Sequence, residues 1–151
     1  MDNKEEVVSV INDVIETCKD GEEGFRTCAE DIKNTELKGL FMKRSQECAS
    51  AAHELQQLVR SLGGDPETTT SFGGDMHRRW VDLKSLITGK DETAILNECE
   101  RGEDVALKRY QEALEKDLPA HVRVVIEQQY QGVKRNHDQI KALRNIARAQ
   151  G

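Results

Sequence analysis

The sequence predicts an all-α protein, a four-helix bundle with a long crossover, and three observations lead there. Apolar residues recur at intervals of three and four along almost all of the 151-residue chain. Glycine pairs, the two prolines and Asn/Asp residues cut that pattern into four long segments and one short one. No stretch shows the alternation of a strand. With 36% hydrophobic and 33% charged residues, the chain has enough apolar material for a modest core, and its length suits one domain over residues 1–151.

The first segment, about Lys4 to Lys33, carries Val7, Val8, Ile11, Val14, Ile15, Cys18, Phe25, Ala29 and Ile32 on one stripe. Asn34-Thr35 ends it and offers side-chain oxygens to the free N–H groups of the next helix. The second segment, about Glu36 to Leu62, turns Leu37, Leu40, Phe41, Cys48, Ala51, Ala52, Leu55, Leu58, Val59 and Leu62 inward. Gly63-Gly64 stops it, because glycine tolerates the left-handed residue that follows a helix. A crossover over 63–90 begins as loop and continues as a short amphipathic helix, Met76 to Thr88, that buries Trp80, Leu83, Leu86 and Ile87.

The third long helix starts at the N-cap Asp91 with Ala94, Ile95, Cys99, Ala106, Leu107, Tyr110 and Leu114 on its stripe. Pro119 fits the first turn of the fourth, where its missing N–H costs nothing. That helix uses Val122, Val125, Ile126, Tyr130, Val133, Ile140, Leu143, Ile146 and Ala147. The result is two hairpins, 4–62 and 91–148, joined by a connection long enough to travel the length of the bundle. Such a connection leaves the second and third helices parallel, as in ferritin-like folds.

Charge and cysteine usage narrow the function. Twenty-two basic against 28 acidic residues give a net charge of −6, which disfavours nucleic acid. No run approaches the ~20 apolar residues of a membrane span, and no membrane partner is expected. The acidic first helix and the basic stretch from His121 to Gly151 pair within the fold or between subunits, which makes a homodimer a candidate assembly. Cys18, Cys28, Cys48 and Cys99 lack CxxC spacing and read as small core residues. An acidic N-terminus without a secretory hydrophobic run places the chain in a reducing cytoplasm.

The two halves resemble each other. Cys18-Lys19-Asp20-Gly21-Glu22-Glu23 matches Cys99-Glu100-Arg101-Gly102-Glu103-Asp104 at an offset of 81, and an offset of 85 aligns Leu37 with Val122, Phe41 with Ile126 and Leu55 with Ile140. In both copies a glutamate follows the cysteine by four residues and so shares its face, which turns Glu22 and Glu103 toward the core. His137, four after Val133 and three before Ile140, joins them from the fourth helix. Two carboxylates and an imidazole suit a divalent metal such as iron or zinc, the one cofactor the chain offers. A di-iron centre would also need paired Glu-x-x-His motifs, but Lys134 stands three before His137. The competing reading is a buried Glu-His or Glu-Tyr hydrogen-bonded network, with Tyr110 and Tyr130 as donors. Gly21 and Gly102 imply a close helix approach.

Asp20-Gly21-Glu22-Glu23-Gly24-Phe25, Leu62-Gly63-Gly64-Asp65-Pro66, His77-Arg78-Arg79-Trp80, Cys99-Glu100-Arg101-Gly102-Glu103-Asp104 and Asp117-Leu118-Pro119 resemble a bacterial family of uncharacterised ferritin-like four-helix-bundle proteins. The resemblance implies a ferritin-like fold and a stress-associated role. The expectation is therefore a non-enzymatic oligomerisation or interaction protein with an unknown protein partner. The alternative is a metal-binding or metal-dependent oxidoreductase bundle using Glu22, Glu103 and His137. A third possibility is a module for a small apolar ligand between the helices, for which the sequence gives no positive sign.

Overall fold

A computed structural model of the chain describes residues 3–68 and 92–150. These form four helices, α1 (Asn3–Asp31), α2 (Thr35–Ser61), α3 (Glu92–Leu114) and α4 (Ala120–Gln150), and no strand is found among the described residues. The expected crossover helix with Trp80, Leu83, Leu86 and Ile87, the N-cap Asp91 and His77 lie outside the described residues.

Local chemistry sets the helix ends. Asn34 holds an extended backbone and its Oδ1 accepts from the N–H groups of Glu36 (3.0 Å) and Leu37 (3.2 Å), as an N-cap does. At the other end of α2 the Gly63 N–H bonds to the Arg60 carbonyl (2.9 Å) and the Gly64 N–H to the Val59 carbonyl (3.0 Å). Gly63 takes φ +82°, so this is the paired-bond glycine stop that the Gly63-Gly64 doublet predicts. A Cβ on Gly64 would lie 2.9 Å from Val8, so the second glycine is needed for space. The Pro119 carbonyl accepts from Val122 and Arg123 and opens α4. The Arg123 guanidinium turns back to donate to the carbonyls of Leu114 and Lys116 (both 2.8 Å), a cation placed on the negative end of α3.

Contacts between helices fix the topology. α1 packs closely on α2 and α3 on α4, α1 and α3 join the hairpins, and α2 and α4 touch least of the adjacent helices. Cys18 meets Tyr110 and Cys28 meets Cys99, so α1 and α3 are antiparallel. Glu47 meets Asn136 and Glu54 reaches Gln129, so α2 and α4 are antiparallel too. It follows that α2 and α3 run the same way, as the long connection predicts. Asn34 at the α1–α2 turn donates to Glu92 at the start of α3, which puts the two ends that the connection joins at opposite ends of the bundle.

The predicted stripes are buried with few departures. Ile146, expected inward, is 53% exposed, because Ile140, Leu143 and Ala147 hold the inward face of that part of α4 and position 146 falls on its flank. Apolar burial divides into two clusters. One gathers Ile11, Ile15, Leu55, Tyr110, Val122 and Ile126, and the other gathers Phe25, Phe41, Ile95, Leu96, Cys99 and Ile140. Buried polar side chains interrupt them: Glu103 lies between Cys99 of one cluster and Ala106 of the other, and Arg44 and Ser45 lie between Phe41 and Cys48.

Two glycines should respond oppositely to alanine. Gly39, inside α2 with nothing within 4 Å of a new Cβ, should gain about 1 kcal/mol. Gly63, with its left-handed backbone, should lose about 1–2 kcal/mol. Urea midpoints of Gly39→Ala and Gly63→Ala give both signs.

Candidate functional site

The polar layer begins with a spacing. Phe41, Arg44 and Cys48 are three and four residues apart and so share the inner face of α2. Cys99, Glu103, Ala106 and Tyr110 share the inner face of α3 in the same way. α2 and α3 are diagonal partners, and Arg44 and Glu103 meet through the middle of the bundle. Arg44 donates from Nε to Glu103 Oε2 (3.2 Å) and from Nη2 to Oε1 (3.0 Å). The two side chains are 6% and 3% exposed, so water does not screen the pair. The guanidinium also stands over the Phe25 ring, 5.6 Å from its centroid.

Burial pulls the two ionisations in different directions. It works to lower the Arg44 pKa, but the neighbouring Cys48, Glu103 and Glu47 reverse that and raise it, so the guanidinium stays charged. For Glu103 burial is the largest influence and raises the pKa, opposed by the Arg44 charge and hydrogen bonds and then by His137. Arg44 thus favours the ionised form of Glu103 against the burial that opposes it, and without Arg44 burial would push the carboxyl further toward its neutral form.

Next to this pair lies a chain of polar contacts. The Cys18 thiol meets the Tyr110 hydroxyl at 3.2 Å, and that hydroxyl donates to Gln129 Oε1 (2.7 Å). Gln129 in turn donates to the Ala51 carbonyl (3.3 Å) and to Glu54 Oε1 (2.8 Å), which carries the network to the surface. Burial pushes the Cys18 thiol up to about 11, and it raises Cys48, Cys99 and Tyr110 as well. All four cysteines are free and buried, which bears out their reading as small core residues.

Between α2 and α4, above the polar layer, opens a cleft of about 1130 Å³. Its cause is the size of the side chains around it. Gly21, Cys48, Ala51, Gly102, Ala106 and Gly132 line it, and none is large enough to fill the space between the helices. At Gly21 the approach is so close that a Cβ would stand 2.8 Å from Cys48 Sγ, and Ser45 Oγ donates to the adjacent Glu22 carbonyl (2.8 Å). The close packing expected at Gly21 is therefore between α1 and α2. Across the mouth, Asn136 donates to Glu47 (3.2 Å) and Gln129 to Glu54 (2.8 Å), two bridges seven residues apart on each helix.

The three residues offered by the sequence as metal ligands go to separate partners. Glu103 is buried as expected, with both oxygens taken by Arg44. Glu22 sits at the flank of α1, 21% exposed, and pairs with Lys19 at 3.0 Å, because Gly21 and Phe25 hold the inward positions on that part of the helix. His137 places Nε2 2.6 Å from Asp104 and 3.7 Å from Glu100, and its Nδ1 is 3.2 Å from Asp138. Glu100 also pairs with Arg144. Among the described residues no group of three or more His, Cys, Asp or Glu is arranged to hold a metal ion. His53 and His121 are exposed.

Arg44 is the residue the sequence reading missed. The signal was a gap: the α2 stripe passes from Phe41 to Cys48 over seven residues, and an inward side chain must stand between them. The offset of 85 also aligns Arg44 with Gln129, and both send polar atoms to α3.

Fold and site together define an all-helical bundle with an ion pair across its centre and an open cleft beside it. The chain belongs to the family described as Domain of unknown function (DUF2383), whose model matches residues 6–116. No curated protein matches the chain. Among the described residues no helix is long and apolar enough to cross a membrane.

Replacing Arg44 alone should be severe. Arg44→Met leaves Glu103 buried without a partner and should cost about 3–5 kcal/mol at pH 7. A carboxyl whose folded pKa lies above its unfolded value binds its proton more tightly when folded. The variant's deficit should therefore shrink as pH falls below the raised Glu103 value and grow as pH rises through it. Denaturant titrations at pH 5 and pH 7.5 test this, and the double variant Arg44→Met/Glu103→Leu should recover most of the loss at both. Separately, Ellman's reagent should find none of the four buried thiols in the native protein and all four once it is unfolded.

Proposed function

We propose that the chain is a non-enzymatic binding protein, a bundle of ferritin-like topology whose α2–α4 cleft captures an elongated small molecule of largely apolar character. This takes up the third possibility raised by the sequence, a module for a small apolar ligand, in place of the expected oligomerisation or protein-partner role. The observation that carries it is the cleft itself, about 1130 Å³, with Gly21, Phe25, Cys48, Ala51, Ala106 and Val133 among its walls and polar and charged side chains around them. Bundle interiors are a recurrent place for such sites, and the volume is somewhat above the roughly 300–1,000 Å³ of ordinary small-molecule pockets.

The Glu47–Asn136 and Glu54–Gln129 bridges favour a small molecule over a partner's helix. A helix laid between α2 and α4 would have to break both, whereas a narrow molecule can lie beneath them. The Arg44–Glu103 pair, already neutralised, supports a binding role for the floor by giving it a fixed shape and no net charge.

Gly132 gives the test. It lines the cleft, and a Cβ there would meet only Arg135 Nη2 at 3.8 Å, so a larger side chain can enter the space without disturbing the helix. Aminoanthracene, an uncharged aromatic fluorophore, should bind the native protein with a blue-shifted, enhanced emission. Gly132→Phe should weaken that binding by at least about tenfold, with helical circular dichroism unchanged. Equal binding by the two proteins would remove the cleft as the site.

A further inference from the structure

The cleft has a directional feature that its shape does not explain. Of the five N–H groups of a guanidinium, Glu103 engages those on Arg44 Nε and Nη2. Nη1 has Glu47 Oε1 as its nearest acidic neighbour, at 3.7 Å, beyond hydrogen-bond distance. Arg44 lines the cleft while its side chain is 6% exposed, so Nη1 brings N–H groups without a hydrogen bond among the described residues to the wall of the cleft. Beside it Cys18 is matched with Tyr110 and Tyr110 with Gln129.

We infer that the molecule held in this cleft is uncharged, with an apolar body and a carbonyl-type acceptor oxygen received by Arg44 Nη1. The inference rests on reading the cleft as a ligand site and goes on to state what the ligand must carry. Charge balance decides against an acid. The cleft is lined by Lys43, Arg44 and Arg135 against Glu47, Glu54 and Glu103, three of each sign. A carboxylate at Nη1 would bring a further negative charge next to Glu103 and Glu47 with no cation to match it. A cationic group is excluded by the guanidinium itself. A neutral carbonyl satisfies the free donor without altering the balance, and Phe25, Ala106 and Val133 supply apolar walls for the rest of the molecule.

Three naphthalenes that differ at one position provide the test: propionyl-dimethylaminonaphthalene, the same compound lacking the propionyl group, and the same compound with a carboxylate in its place. The native protein should bind the ketone at least about tenfold more tightly than either of the others. The bound ketone's emission should lie to the red of its emission in dry hydrocarbon, because a hydrogen bond to the carbonyl lowers its excited state. In Arg44→Met/Glu103→Leu, which keeps the centre of the bundle neutral, the ketone should lose its advantage while the carbonyl-free compound binds as before. Equal affinity for the ketone and the carbonyl-free compound in the native protein, or tightest binding of the carboxylate, would overturn the inference and leave the cleft as an apolar site. Binding of none of the three would overturn the cleft reading with it.

Discussion

The ion pair between Arg44 and Glu103 is the constraint on which the middle of this molecule depends. α2 and α3 are diagonal in the bundle, and this pair joins them through its centre. A glutamate buried in an apolar layer is costly unless its charge is matched, and a guanidinium that offers two donors in one plane matches it better than an ammonium would. The same requirement fixes register. Sliding either helix by one residue would part the guanidinium from the carboxylate and leave both charges buried without a partner. The pair thus specifies one alignment of the hairpins where apolar contacts alone would accept several, the best-attested use of buried charge.

Much of the fold was legible because it follows from periodicity and punctuation. The four helices, the Asn34 cap, the Gly63 stop and the parallel course of α2 and α3 come from residue spacing, local hydrogen-bonding chemistry and the length of a connection. The site was legible in part. Glu103 could be placed inward from its position four residues after Cys99, but what it would meet there is a property of two helices far apart in sequence. An arginine between Phe41 and Cys48 looks like a solvated residue until the diagonal partner is known. Glu22 shows the converse error. It has the same spacing from Cys18 as Glu103 from Cys99, yet a helical face is wide, and a few tens of degrees of rotation toward Lys19 separate the flank from the centre. The repeat preserved the apolar register and let the polar positions diverge.

The cleft follows from the same division of labour. Glycine, alanine and cysteine at the α1–α2 contact let those helices come together at Gly21, and small residues at the facing positions of α3 and α4 leave the opposite side unfilled. The missing volume is bounded by groups that cannot collapse into it. Arg44 and Glu103 are fixed by each other, and the Gln129 and Asn136 bridges prop α2 and α4 at a set spacing. A bundle whose core was apolar throughout would close such a gap by side-chain rearrangement. Here a rigid polar layer keeps it open.

The division of the core into two apolar clusters has a consequence for motion. Every helix contributes to both, so neither end is a separate domain, yet each cluster is stabilised mainly by contacts within itself. The bundle is built as two cooperative units in series, hinged at a layer of charge. Amide protons near one end can then exchange with solvent through openings that leave the other end closed, and protection should fall into two blocks along each helix instead of fading smoothly from its centre.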